Sequence, residues 1–218
     1  MQIPRSLLLR TVTASILVLV FVVCFSADSS WLLTRVLAFI ATYTLLIEWP
    51  RLLSVSTPFF WLVTPLYPLA PFLMLIYLSH TGYRALIALL FIVVASFDTG
   101  AYIGGSLFGK QLLAPTISPK KTVEGAVCGF VLALGVVVLG AYLLNSSASF
   151  LEILLFSAIL SGLALAGDLF ESWLKRRAHV KDSGTFLPGH GGFLDRFDSI
   201  LWGTYFIFFI KNYLANTL

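Results

Sequence analysis

The chain has 218 residues, of which 59% are hydrophobic and only 11% charged, with a mean hydropathy of +0.95. Water-soluble domains carry roughly a quarter of their residues as charges, so a soluble globular enzyme is excluded, and intrinsic disorder with it. Two cysteines exclude a disulfide scaffold, and a net charge of +4 on so apolar a chain marks membrane-proximal loops, not a nucleic-acid partner. An integral membrane protein remains.

At about 20 apolar residues per span, seven transmembrane helices are expected. They fall at residues 8–25, 31–49, 58–79, 84–107, 122–144, 150–174 and 197–215. No long polar insertion separates them, so the fold class is an all-α polytopic membrane protein forming one domain over 1–218. Arg5 and Arg10 precede the first apolar run as in a secretory signal. The run is long and the small-residue site near Cys24 and Ser26 is poor, so a span is expected instead. Prolines 58, 65, 68 and 71 are expected to kink or break the third span. Gly100 and Gly104 should let the fourth pack closely on a neighbour. Gly104 to Lys110 fits G-x-x-x-x-G-K, but Gln111 replaces Ser or Thr and the segment follows an apolar helix, so it is not a P-loop. Cys24 and Cys128 fall inside spans as packing residues. His80 and His179 read as interfacial.

Basic residues orient the chain. With the N-terminus in the cytoplasm, the inner segments hold Arg5, Arg10, Arg51, Lys110, Lys120, Lys121, Lys175, Arg176, Arg177, Lys181 and Arg196. Only Arg35, Arg84 and Lys211 are left for the other face. The segments 108–121 and 175–196 therefore share the cytoplasmic side, where a polar site is expected.

Charge is also concentrated. Residues 98–124 and 168–198 hold 15 charged residues, and the rest of the chain holds nine. Asp98 and Asp168 lie within apolar runs, where an ionisable side chain is a functional candidate by default. Asp168 and Glu171 stand at i, i+3 on one helix, and Asp195 and Asp198 repeat that spacing at the start of the last span. Such pairs suit oxygen ligation of a hard cation such as Mg²⁺, although paired structural charges or helix caps would use the same residues. Lys175, Arg176, Arg177 and Lys181 form a basic run ahead of Pro188, Gly189, His190, Gly191 and Gly192. Glycines there let backbone N–H groups approach an anion, whereas a basic run alone would only attract lipid headgroups. Asp98, Asp168 and Asp195 are expected to border one cavity, with Lys120 or Lys121 at its rim.

The segments Ser172 to Arg176 (SWLKR), Lys181 to Gly184 (KDSG) and Leu187 to Asp198 (LPGHGGFLDRFD) resemble the signature of the phosphatidate cytidylyltransferases. A second block is similar to the same family: Asp98 to Tyr102, Gly109-Lys110 and Ser118 to Gly125. The family commonly has a basic residue where this chain has Ser106, and Trp where it has Val123. The resemblance covers about 85–215, so 84–218 is expected to be the catalytic part. The first three spans, over 1–83, match in hydropathy only.

The resemblance implies attack of phosphatidic acid on the α-phosphate of CTP, giving CDP-diacylglycerol and pyrophosphate with Mg²⁺ as cofactor. It implies metal binding by Asp168, Glu171, Asp195 and Asp198, with Asp98 as a further candidate. Phosphates would be held by Lys120, Lys121, Lys175, Arg176, Lys181 and Arg196. Ser118, Thr122, Gly189, His190, Gly191 and Gly192 would position the nucleotide, and Glu124, Ser172 and Asp182 complete the substrate-binding motifs. A homodimer in the cell inner (cytoplasmic) membrane, with the site facing the cytoplasm, is the corresponding expectation. Two other readings use the same residues. A CTP-dependent polyprenol or phytol kinase would release CDP. A transporter would use intramembrane carboxylates as an ion path, with charges spread along the spans.

Overall fold

A computed structural model of the chain describes residues 5–26 and 30–217, with side chains for 11–26 and 31–217. The side chains of Arg5 and Arg10 lie outside the described residues. Backbone polar groups in a bilayer must be satisfied within the segment that carries them, so these apolar runs fold as helices. In chain order they are α1 (Arg5–Ser26), α2 (Ser30–Tyr43), α3 (Trp49–Leu52), α4 (Pro58–Val63), α5 (Ala70–His80) and α6 (Arg84–Phe108). A two-stranded antiparallel hairpin follows, β1 (Leu112–Ala114) and β2 (Ser118–Thr122). The chain ends with α7 (Val123–Leu143), α8 (Phe150–Arg177) and α9 (Leu194–Thr217).

Among the described residues five segments are long and apolar enough to cross a membrane: Trp31–Leu52, Pro58–His80, Arg84–Phe108, Val123–Leu143 and Phe150–Arg177. Thr11–Ser26 is a shorter apolar helix. The five coincide with the expected spans at 31–49, 58–79, 84–107, 122–144 and 150–174. The last expected span is an unbroken helix, but Asp195, Arg196, Asp198, Lys211 and Asn212 dilute its apolar face and it falls outside the five.

Two spans are irregular, each for a local reason. The first passes through a π-helical turn at Thr44–Glu48, closed by the Trp49 N–H donating to the Thr44 carbonyl, before Pro50 enters α3. The proline-rich span breaks as expected: Pro65–Leu69 forms a π turn in which Tyr67 is extended (φ −152°, ψ 119°).

By packing, the chain divides into two compact units. One comprises Met1–Arg84 with Leu174–Phe197, the other Ala85–Trp173 with Asp198–Leu218. The segment after α8 thus packs with the N-terminal spans. Within the first unit α2 and α5 bury Leu33, Leu37, Phe72, Leu75 and Leu78. Trp49 is fully buried and its Nε1 donates to Thr64 Oγ at 2.7 Å. His80 packs edge-on against Trp31.

Within the second unit α6 and α7 meet on glycine faces. A Cβ at Gly100 would lie 2.8 Å from the Cys128 carbonyl, and one at Gly129 would lie 2.6 Å from the Phe97 carbonyl. Only glycine allows backbones so close, as in membrane helix pairs with small residues four apart. The opposite side of α7 exposes Val127, Val131, Leu139 and Tyr142, an apolar surface suited to lipid. Gly129→Leu should force the two helices apart. Overpacking of this kind costs about 1–3 kcal/mol. A lowered thermal midpoint in detergent is expected, while Gly135→Ala, whose Cβ would meet nothing within 4 Å, should leave the midpoint unchanged.

Candidate active site

In the second unit the hairpin is anchored by the start of α7. Thr122 caps that helix, its Oγ accepting the Gly125 N–H at 3.1 Å. Glu124 accepts the N–H groups of Lys110 and Gln111 at 3.0 and 3.2 Å, tying the turn after α6 to the same point. Both residues therefore shape the site from within the fold. β2 presents Ser118, Lys120 and Lys121 to a cavity of about 280 Å³, which Asp98 and Tyr102 of α6 and Asp168 of α8 also line. Lys121 forms an ion pair with Asp168, whose other oxygen accepts from Ser172 Oγ at 3.3 Å. Glu171 is fully buried in the next turn, and Asp198 is buried with its carboxylate accepting the Ser199 N–H at 2.7 Å.

In the first unit the signature loop winds round Asp195. Oδ1 accepts from Lys175 Nζ at 2.8 Å. Oδ2 accepts from the Ser183 N–H at 2.9 Å and from Ser183 Oγ and the Gly192 N–H at 2.8 Å each. Burial pushes this carboxyl up, but the Lys175 ammonium, its hydrogen bond, the Gly192 N–H and the Ser183 contact outweigh burial and hold it below the usual range. Gly189 and Gly191 have φ of 78° and 80°, the left-handed region, and a Cβ at Gly191 would stand 2.5 Å from Asp195 Oδ2. The Arg196 guanidinium donates to the His190 carbonyl at 3.1 and 3.3 Å. A second cavity, about 510 Å³, is lined here by Lys181, Asp182, Gly189, His190, Gly191 and Arg196. His190 Nδ1 is buried without a hydrogen-bond partner among the described residues. Arg176 is exposed at the end of α8.

The structure thus gathers Asp98, Ser118, Lys120, Lys121, Thr122 and Asp168 round one cavity, as expected. Asp195 belongs to the other unit, where its two oxygens take four hydrogen bonds within the signature loop, about what a carboxylate can accept. Among the described residues no three His, Cys, Asp or Glu side chains converge as a metal-holding group. Sequence reasoning missed Glu48, which is fully buried and accepts the N–H groups of Phe193 and Leu194 at 2.8 Å each. The available signal was a lone acid inside an apolar span.

Because the folded-state pKa of Asp195 is depressed, its contribution to stability is full above the unfolded value and is lost as pH falls through the folded one. The unfolded value is about 3.9. The thermal midpoint of wild type over Asp195→Asn in detergent should be a constant excess between about pH 5 and 8 and should shrink below about pH 4. Tryptophan fluorescence across that range checks it.

Residues 11–214 match the Cytidylyltransferase family. A protein of Rickettsia felis named phosphatidate cytidylyltransferase is 36% identical over 216 residues, covering 95% of this chain and 93% of its own. Proteins of the same name from Helicobacter pylori strain J99 and Bacillus subtilis are 53% and 46% identical over 124 and 119 residues. Those matches span 45% and 44% of the two relatives, so the chain aligns with less than half the length of either. With the family match running through all five candidate spans and both charged segments, the chain belongs to the cytidylyltransferase family.

Proposed function

We propose that the protein transfers CMP from CTP to phosphatidic acid, forming CDP-diacylglycerol and releasing pyrophosphate. The observation that carries this reading is the cavity in which two lysines and two aspartates face one another between membrane-spanning helices. Its volume of about 280 Å³ falls just below the range of pockets that enclose a whole ligand, so it suits a phosphate-bearing part of a substrate.

The chemical obstacle is repulsion between two polyanions. A phosphate monoester has a second pKa near about 6, so the attacking oxygen is already largely ionised near pH 7 and no base has to prepare it. Its oxygen forms a bond to the α-phosphorus of CTP as the bond from that phosphorus to the bridging oxygen breaks, and pyrophosphate leaves with the electron pair. What the chain supplies is charge neutralisation and alignment. Lys120 and Lys121 of β2, and Lys175, Arg176, Lys181 and Arg196 of the signature segment, are the cations proposed for the phosphates. Ser118 and the turn 189–192 orient the nucleotide. His190 positions a phosphate through its unengaged Nδ1 and abstracts no proton.

Mg²⁺ suits the acids beside the cavity: Asp168 there holds a lysine ammonium, a cation standing against an oxygen-only ligand of the kind a hard cation prefers. Asp168, Glu171 and Asp198 are the acids proposed to hold it, with Asp98 beside Asp168, while Asp195, whose oxygens take four hydrogen bonds, shapes the signature loop. When bound, the metal would offset charge on the phosphates. The proposed setting is the bacterial inner membrane, with the polar segments in the cytoplasm, as the distribution of Lys and Arg supports.

Purified protein given labelled CTP, Mg²⁺ and phosphatidic acid should yield CDP-diacylglycerol and pyrophosphate; release of CDP instead would show a lipid kinase. Asp168→Asn and Asp195→Asn should each lower kcat at least about 100-fold while the protein stays folded. His190→Asn should lose less and keep the wild-type pH profile. Loss of the basic limb together with an equal fall in turnover would make His190 a base.

A further inference from the structure

Glu48 lies near the end of the first candidate span, in the unit that also holds the signature loop. It is fully buried, and its Oε1 and Oε2 accept the N–H groups of Phe193 and Leu194 at 2.8 Å each. Those N–H groups belong to the opening of α9, where a helix offers donors that have no partner within it. A carboxylate there also meets the positive end of the helix dipole. The loop closes tightly on the same carboxylate. A Cβ at Gly184 would stand 2.6 Å from Oε1, and one at Gly192 would stand 2.4 Å from it. Around it Phe186 and Phe193 pack on Tyr43, with ring centroids 4.8 and 5.6 Å away, and Thr13 Oγ donates to the Pro188 carbonyl at 2.9 Å. The residue after Leu194 is Asp195.

We propose that Glu48 is a positioning residue for the reaction: its carboxylate fixes Gly192, Phe193 and Leu194 so that the loop closed by Asp195 holds Arg196 and the glycine turn in register for the substrate phosphates. The N-terminal spans thereby take part in turnover without touching substrate. This role rests on the assignment of Arg196 and the glycine turn to the reaction. A charge buried merely to hold a helix would, when lost, loosen the protein generally. A positioning charge, when lost, releases one loop and slows the chemical step while nucleotide binding persists.

The test uses the full chain in detergent with CTP and phosphatidic acid. Glu48→Gln keeps the volume but turns one acceptor into an NH₂ facing a backbone N–H. A misplacement of about 1 Å can cost about 100-fold in rate, so kcat is expected to fall about 10- to 100-fold. KM for CTP should stay within about threefold, the pattern of an interaction realised in the transition state. Hydrogen exchange should quicken in peptides spanning 183–195 and not in those from α6 and α7. Glu48→Asp, which keeps the charge one methylene short, should recover part of the turnover lost in Glu48→Gln. A kcat within about twofold of wild type would overturn the proposal, as would exchange quickening alike in the loop and in α6 and α7. Should Glu48→Gln not fold, Gly184→Ala presses on the same carboxylate from the loop side and is held to the same two readouts. If wild type makes no CDP-diacylglycerol, the functional reading fails by itself, and the exchange comparison still decides whether Glu48 holds the loop.

Discussion

A carboxylate withdrawn from water has to be met by cations or N–H groups, and the loop after α8 is arranged round two that are. Asp195 draws in Lys175, Ser183 and Gly192, and Glu48 draws in Phe193 and Leu194. Neither contact is worth much as a surface pair. Buried, each leaves polar groups stranded if broken, at a cost well above what the intact contact contributes. The loop acquires one conformation because these carboxylates take its N–H groups, the Leu187 and His190 amides pair within it, and Phe186 and Phe193 pack on Tyr43. The φ values at Gly189 and Gly191 follow from the same closure, since the chain must turn back on Asp195 within a few residues.

The signature is contiguous in sequence but divided in packing. Residues 174–197 belong with the N-terminal spans, whereas Asp168, Glu171 and Asp198 belong with α6 and α7. Helices α8 and α9 each contribute to both units. A role for the N-terminal spans follows that hydropathy alone could not express. Their helices carry the aromatic rings and the acid against which the loop is set.

What could be read from the sequence was whatever shows in a local pattern. Apolar runs announced the helices, and prolines 65, 68 and 71 announced the break at Tyr67. The glycine pair 100 and 104 announced a close approach, and the structure supplies its counterpart at Gly125 and Gly129. The cavity residues Asp98, Lys120, Lys121 and Asp168 were legible because charge in an apolar context is costly. Less legible was anything that depends on a distant partner. Glu48 meets N–H groups about 145 positions away, and no spacing rule connects them. Its neighbours Pro50 and Arg51 give it the look of an ordinary charge at the end of a span. The hairpin at 112–122 was hidden for a related reason: its strands are short and mostly polar, and their pairing is set by Glu124 and Thr122 at the head of α7.

The π turn at Thr44–Glu48 gives the number of residues in the span a meaning of its own. Such a turn accommodates one residue more than an α-helix would, and each residue turns the helix by about 100°. Deleting one residue from Thr44 to Ile47 would let the turn relax into regular helix and re-aim Glu48 with its chemistry untouched. The same deletion placed before the turn would rotate Leu33 and Leu37 off α5, against which they are buried. Within this span, therefore, length is constrained on both sides of the turn, ahead of it by packing and at its end by one carboxylate.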